Sequence, residues 1–307
     1  MAHLYIVSPS GAVIDKPAFR RGLAFLKKQG HSVEVDPDVL SRHTRFAGTD
    51  ETRVAALKRA SLSGADAVLI TRGGYGLSRI LPQLPYKAIQ SSIDRGTQWV
   101  GFSDFTAFQL AVLARTGGIT WAGPALLASF GLEHPDEITT ACFDDLLQEQ
   151  GEACGWRMGL RNSAALAQRN DGLWARDAVL WGGNLAMLCS LVGTPYCPPI
   201  EGGVLFLEDV SEPPYRIERM LTQLLHAGIL HQQKAIVLGQ FTAYHRGPID
   251  RGYDLHSVIE WLRSQLRIPV LTDLPFGHVD TRVCLPVGAK VDLLVEGRDV
   301  LLVWGHV

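Results

Sequence analysis

The chain has 307 residues, 47% hydrophobic and 20% charged, a composition that supports a sizeable core without disulfide or metal staples and predicts about two domains. Lysine plus arginine (29) nearly balance aspartate plus glutamate (31), and the net charge of −2 argues against a dedicated nucleic-acid binder. No apolar run approaches the roughly 20 residues that span a bilayer, so neither nucleic acid nor a membrane is an expected partner.

The opening residues reach Pro9 without a basic segment, so they read as a first strand, 4–7, rather than a signal peptide. A helix is predicted over 16–29, with Phe19, Leu23 and Leu26 at helical spacing and Gly30 as its stop. A strand at 32–35 and a helix at 50–63 follow, the helix carrying Val54, Leu57 and Leu62 as its apolar positions. The strand at 67–70 then runs into Arg72-Gly73-Gly74-Tyr75-Gly76 and a helix, and the strand at 99–102 runs into a helix over 104–115. This alternation predicts a parallel sheet covered by helices on both faces, with functional groups at the carboxyl ends of its strands.

From 131 to 170 the pattern weakens into an acidic, glycine-broken connection with one amphipathic helix at 137–150. The second half predicts strands at 175–179, 204–207, 235–238 and 268–271, with helices at 185–192, 215–227 and 256–265. Its closing segments, 291–295 and 300–303, read as a β-hairpin around Glu296-Gly297-Arg298-Asp299. The expected division is an N-terminal α/β domain over 1–130, a connection over 131–170 and a C-terminal domain over 171–307. The five cysteines, Cys142, Cys154, Cys189, Cys197 and Cys284, are odd in number and lack CxxC spacing. They are expected as reduced thiols of a cytoplasmic protein, with neither zinc nor a disulfide framework.

Three positions carry candidate chemistry. Ser103, in Gly101-Phe102-Ser103-Asp104-Phe105, stands where an apolar strand meets a helix. Its hydroxyl there is either a nucleophile beside helical N–H groups or a plain helix cap. The Gly73-Gly74 pair follows another strand and suits either an oxyanion hole, a phosphate cradle or an ordinary tight turn. Glu208 ends the apolar run 204–207, where it could orient a histidine or stand exposed in a loop; its neighbour Asp209 could serve a helix N-terminus. His278, after the strand at 268–271, is the histidine chosen as a base, with His245 as runner-up. The order Ser103, Glu208, His278 is one in which a serine, an orienting carboxylate and a base are known to act together.

The runs Ile70-Thr71-Arg72-Gly73-Gly74-Tyr75-Gly76, Val100-Gly101-Phe102-Ser103-Asp104, Gly182-Gly183-Asn184-Leu185, Leu205-Phe206-Leu207-Glu208-Asp209 and Phe276-Gly277-His278 occur in this order along the chain. Together with Val7-Ser8-Pro9-Ser10-Gly11, this series resembles the LD-carboxypeptidases, a serine peptidase family that includes the microcin C self-immunity proteins. The resemblance spans nearly the whole chain. It implies Ser103 as nucleophile, Glu208 as carboxylate, His278 as base, and an oxyanion hole from the amides of Gly74 and Asp104, with Gly73 beside them. It also implies a flavodoxin-like N-terminal domain, a β-rich C-terminal domain, a site between them and a homodimer. The implied reaction removes the terminal D-alanine of murein tetrapeptide during cell-wall recycling, with no metal or organic cofactor. Arg72 is the candidate for holding the substrate's free carboxylate, and Tyr75, Trp181 and Asn184 are candidates for lining the cleft. The immunity branch acts on aminoacyl-nucleotide conjugates, for which Trp121 or Trp181 is the candidate stacking face. A non-catalytic peptide sensor is the remaining reading.

Overall fold

The run Ala67-Val68-Leu69-Ile70 is buried at every position, so it has no face to offer water and is stable only inside a sheet covered on both sides. It is the third strand of a first sheet. The structure is a computed structural model that describes residues 1–164 and 172–307. Residues 165–170 of the expected connection, and residue 171 where the expected C-terminal domain opens, lie outside the described residues. The described chain forms two units, one of Met1–Gly151, Pro195–Pro198 and Asp280–Val287, the other of Glu152–Thr194, Pro199–Val279 and Gly288–Val307.

The first unit alternates β1 (His3–Val7), α1 (Lys16–Lys28), β2 (Ser32–Val35), α2 (Asp50–Leu62), β3 (Ala67–Ile70), α3 (Leu77–Ile80), α4 (Tyr86–Asp94), β4 (Gln98–Gly101), α5 (Phe105–Thr116) and β5 (Thr120–Ala122), and ends in α6 (Glu137–Leu147). The strands lie in the order β2-β1-β3-β4-β5 and are parallel throughout; the distant segment Leu285–Val287 adds an antiparallel edge beside β5. That order is the doubly wound arrangement expected from the sequence, and it reverses direction between β1 and β3. At such a switch point the loops after neighbouring strands diverge and leave a crevice at the carboxyl edge. The loops after β1, β3 and β4 carry Ser10, Gly73-Gly74 and Ser103 respectively.

One predicted helix face is corrected. The buried side of α2 is Arg53, Ala56, Leu57, Ala60 and Ser61, whereas Leu62 is 65% exposed and Val54 only half-buried. Arg53 displaces the apolar pattern because its guanidinium finds three partners in the interior: the carbonyls of Pro9 (3.1 Å) and Gly76 (2.8 Å) and the carboxylate of Asp50. A buried charge is tolerated on those terms. Residues 131–151, expected as connection, count with this unit; there Phe143 of α6 packs on Phe130, their rings 5.2 Å apart.

The second unit holds β6 (Ala153–Arg157), α7 (Leu160–Ala164), β7 (Gly172–Asn184), α8 (Leu185–Leu191), β8 (Val204–Val210), α9 (Pro214–His226), β9 (Ala235–Thr242), α10 (Leu255–Gln265) and β10 (Val270–Leu271). After β11, the Leu285–Val287 edge of the first sheet, come β12 (Lys290–Glu296) and β13 (Asp299–Val303). The second sheet runs β10-β9-β8-β7-β12-β13-β6. Its β10-to-β7 half is parallel and its β7-to-β6 half antiparallel, the predicted β12–β13 hairpin included. The segments 175–179 and Gly182-Gly183-Asn184, read separately in the sequence, form one strand of 13 residues that belongs to both halves. Among the described residues no helix is long and apolar enough to cross a membrane. All five cysteines are free, with Cys154, Cys189 and Cys284 buried.

Candidate active site

In the first unit β4 runs straight into the turn before α5, and Ser103 occupies that turn with φ +65°. A capping serine ordinarily has extended backbone. The left-handed conformation costs a non-glycine residue about 1–2 kcal/mol and marks an elbow of the kind that exposes a nucleophile. The cap position itself falls to Asp104, which already has helical backbone. Gly73 lies directly against this elbow: a Cβ there would stand 2.6 Å from the Cβ of Ser103 and 3.2 Å from the amide nitrogen of Asp104. Only a glycine lets the turn after β3 approach so closely, and that approach sets the turn against both Ser103 and the Asp104 amide. Arg72 runs along the same turn half-buried, and among the described residues no hydrogen bond or ion pair engages its guanidinium. Tyr75 is 41% exposed beside it.

In the second unit β7 and β8 are parallel and in register, with Asn184 opposite Glu208. Glu208 is fully buried, and its two oxygens are divided between two partners. Oε2 lies 2.8 Å from Nδ1 of His278, and Oε1 accepts from the Asn184 amide at 3.1 Å. The pairing of β8 with β9 slips in register around Glu208, and Gly277 bridges to Gln240 of β9, which places the next residue, His278, at the carboxylate. The His278 side chain is 21% exposed, so the imidazole is held by the carboxylate without being fully enclosed. A carboxylate on Nδ1 fixes the tautomer that leaves Nε2 to accept a proton. His245, the alternative base, stands exposed in the loop after β9.

Sequence reasoning missed the role of Asn184. Its side-chain oxygen caps α8 by accepting from the Met187 amide at 3.1 Å, and its amide nitrogen donates to Glu208 and, at 2.9 Å, to Asp209. It braces the carboxylate and is itself only 5% exposed. Trp181 is corrected as well: it is 1% exposed and its indole N–H donates to Gln233 at 3.0 Å. Trp121 is 3% exposed with its N–H on Gln98, so neither tryptophan offers a stacking face. The asparagine's partners lie 24 and 25 residues away in the chain, and only the strand register reveals them.

Asp209 acts at a helix N-terminus, accepting from the Ala186 amide at 2.9 Å. Burial, with the neighbouring charge of Glu208, pushes its carboxyl up to about 6, against the hydrogen bonds from Val210, Asn184 and Ala186. The folded protein therefore binds this proton more tightly than the unfolded chain. The stability Asp209 contributes is complete below the ordinary carboxylate value of ~3.9 and is lost as pH rises through about 6. Asp209→Asn removes that dependence. The melting temperature of the wild type relative to the variant is expected to fall by a few degrees between pH 5 and 7.5, whatever constant offset the lost acceptors impose. Parallel curves would contradict the placement of this group.

Among the described residues no cluster of three or more histidine, cysteine, aspartate or glutamate side chains is arranged to hold a metal. The chemistry the two units offer is a serine elbow packed against a glycine turn in one and a carboxylate-oriented imidazole in the other.

Residues 4–123 match the LD-carboxypeptidase N-terminal domain and residues 177–293 the LD-carboxypeptidase C-terminal domain. The chain is 30% identical over 289 residues to the probable murein peptide carboxypeptidase of Bacillus subtilis, covering 94% of this chain and 88% of that one. It is 28% identical over 318 residues to the microcin C7 self-immunity protein MccF of Escherichia coli, covering 95% and 90%. The crystal structure of a muramoyltetrapeptide carboxypeptidase from Oxalobacter formigenes superposes with a TM-score of 0.86 at 37% identity, covering 98% of this chain and 97% of that chain.

Proposed function

We propose that this chain, which belongs to the LD-carboxypeptidase family, is a serine carboxypeptidase that releases the terminal D-alanine from murein tetrapeptide. The observation that carries the reading is the buried Glu208 on Nδ1 of an accessible His278, since such a pair is the standing requirement for activating a hydroxyl. Ser103 supplies that hydroxyl. Its Oγ attacks the carbonyl of the L-centre of diaminopimelate while Nε2 of His278 takes the proton. The amides of Gly74 and Asp104, with Gly73 alongside, receive the oxyanion, a contribution worth about 10²–10³-fold per donor. His278 then returns the proton to the departing amine of D-alanine, and the acyl-enzyme is hydrolysed by water activated at the same imidazole.

Arg72 is the residue for the substrate's free carboxylate, because a guanidinium matches a carboxylate bidentately and this one is not engaged by the described chain. The reading places the protein in the cytoplasm, as a homodimer, in peptidoglycan recycling. Its two functional segments come from separate units, which the proposed reaction must bring to one substrate.

The similarity to MccF supports a second reading, hydrolysis of an aminoacyl-nucleotide conjugate by the same residues. Trp121 and Trp181, the aromatic faces expected for it, are buried, which leaves the exposed Tyr75 as the ring on which a nucleobase would stack. The two readings separate when murein tetrapeptide and an aminoacyl sulfamoyl adenosine are offered to the same preparation and kcat/KM is read for each by mass spectrometry. A preference of at least about 100-fold for the tetrapeptide, worth about 2.7 kcal/mol of differential transition-state binding, is expected. The reverse preference would replace the first reading with the second.

A further inference from the structure

The residue after the elbow carries a side chain that the proposed reaction does not use. The Asp104 carboxylate is buried, and one of its oxygens, Oδ2, accepts two hydrogen bonds: from the Ser10 hydroxyl, and from the Leu77 amide at 3.0 Å. Its other oxygen is buried with no hydrogen-bond partner among the described residues. Ser10 belongs to the loop after β1, and Leu77 opens α3 immediately behind the Gly73-to-Gly76 turn. The Gly11 amide donates to the Gly73 carbonyl at 3.2 Å, and Arg53 ties the Pro9 and Gly76 carbonyls together from beneath. Three loops that meet at the switch point of the sheet are thus knotted at one buried carboxylate.

This arrangement is expensive if all it does is hold loops. A carboxylate taken out of water with one oxygen unsatisfied costs more than a neutral polar group would. What the acid adds is strength: hydrogen bonds to a charged acceptor are shorter and stiffer than neutral ones. Stiffness matters at this place, because Gly73 packs on Ser103 and amides that receive an oxyanion must hold their position to a fraction of an ångström.

We propose that the Asp104 carboxylate is a positioning residue for the oxyanion-binding amides: through Ser10 and Leu77 it holds the Gly73-Gly74 turn in register with the Ser103 elbow. The inference rests on the assignment of Ser103 as nucleophile. It also assigns Ser10 a part in catalysis that no direct contact with substrate requires.

The test is the rate at which a fluorophosphonate probe phosphonylates Ser103, measured with kcat and KM for murein tetrapeptide in wild type, Asp104→Ala, Asp104→Asn and Ser10→Ala. Phosphonylation reads the nucleophile and the oxyanion hole without depending on peptide recognition. Asp104→Ala is expected to lower kcat and the phosphonylation rate in parallel by about 100-fold, with KM changed less than about twofold. Ser10→Ala removes one of the two ties and lowers both rates by about tenfold. Asp104→Asn, whose amide oxygen still accepts from Leu77, recovers part of the loss. A merely structural role would move the melting temperature and the active fraction but not the phosphonylation rate of the folded fraction.

Phosphonylation at the wild-type rate in a folded Asp104→Ala protein, or a loss confined to KM, would overturn the proposal alone. No Ser103 adduct in the wild type would overturn the nucleophile assignment and this proposal with it. Should Asp104→Ala fail to fold, the Ser10→Ala rate decides, and an unchanged rate there rejects the proposal.

Discussion

Ser103→Ala and His278→Ala, which remove the proposed nucleophile and the proposed base, are each expected to lower turnover of murein tetrapeptide by roughly 10⁴-fold or more, because such a pair acts as one unit. The two variants differ in what they do to the fold. Ser103 is placed by its backbone, with φ +65° imposed by the turn between β4 and α5, so removing one oxygen leaves the elbow in place and the melting temperature nearly unchanged. His278 is instead the partner of a fully buried carboxylate oxygen. Its removal leaves that oxygen short of a hydrogen bond, at a cost of about 1–3 kcal/mol. A double variant is expected to be no slower than either single one. Near-wild-type turnover in either single variant, with contamination excluded, would end the assignment. So would additive losses in the double variant.

Gly182→Ala has the largest expected effect on stability. Gly182 pairs with Phe206 in the middle of the parallel half of the second sheet and has φ +126°, a region in which side chains are strained. A Cβ there would stand 2.0 Å from the Phe206 carbonyl oxygen, which is backbone and cannot rotate away. The strand would have to leave its partner, and β7 leads two residues later to Asn184, the brace of Glu208. A loss above about 4 kcal/mol, the range reserved for disruptions of this kind, is expected, with a second unit that does not reach its native state. Gly193→Ala is the control: φ is +81° there, but nothing lies within 4 Å of the added methyl, so only the backbone cost of about 1 kcal/mol applies. Denaturant unfolding of both variants measures the contrast, and similar losses in the two would show that the contact with Phe206 is not what matters.

The legible parts of this molecule are those decided locally. The strand β3 follows from a short aliphatic run bounded by turn residues and β2 from the alternation of Val33 and Val35 with Ser32 and Glu34, and the alternation with helices indicates the parallel sheet of the first unit. The serine elbow is visible because an apolar strand meeting a helix leaves few places for a hydroxyl to go. The features that escape are decided by distant partners. The strand β7 reads as two pieces because Gly182 and Gly183 look like a break, whereas the close approach of β8 needs Gly182 there. Arg53 lies outside the apolar spacing of Val54, Leu57 and Leu62, and its burial becomes visible only when the sheet order brings the carbonyls of Pro9 and Gly76 to it. The three-residue strands Thr120–Ala122 and Leu285–Val287 carry too little pattern to be seen, and they pair with each other across 160 residues of chain or more. Trp121 and Trp181 resemble ligand platforms in sequence, but each N–H is satisfied inside, by Gln98 and Gln233. Asn184 shows the same limit from the other side. Its place before a helix announces a cap, and nothing nearby announces that its amide also braces a carboxylate on the next strand.

The central claim is that this chain cleaves a peptide bond before a terminal D-alanine using Ser103. Purified wild-type protein and Ser103→Ala are incubated side by side with murein tetrapeptide, and the products are weighed by mass spectrometry. Tripeptide and free D-alanine are expected from the wild type, and intact tetrapeptide from the variant. Tripeptide from the variant at a comparable rate, or intact tetrapeptide from a folded wild type, would contradict the claim.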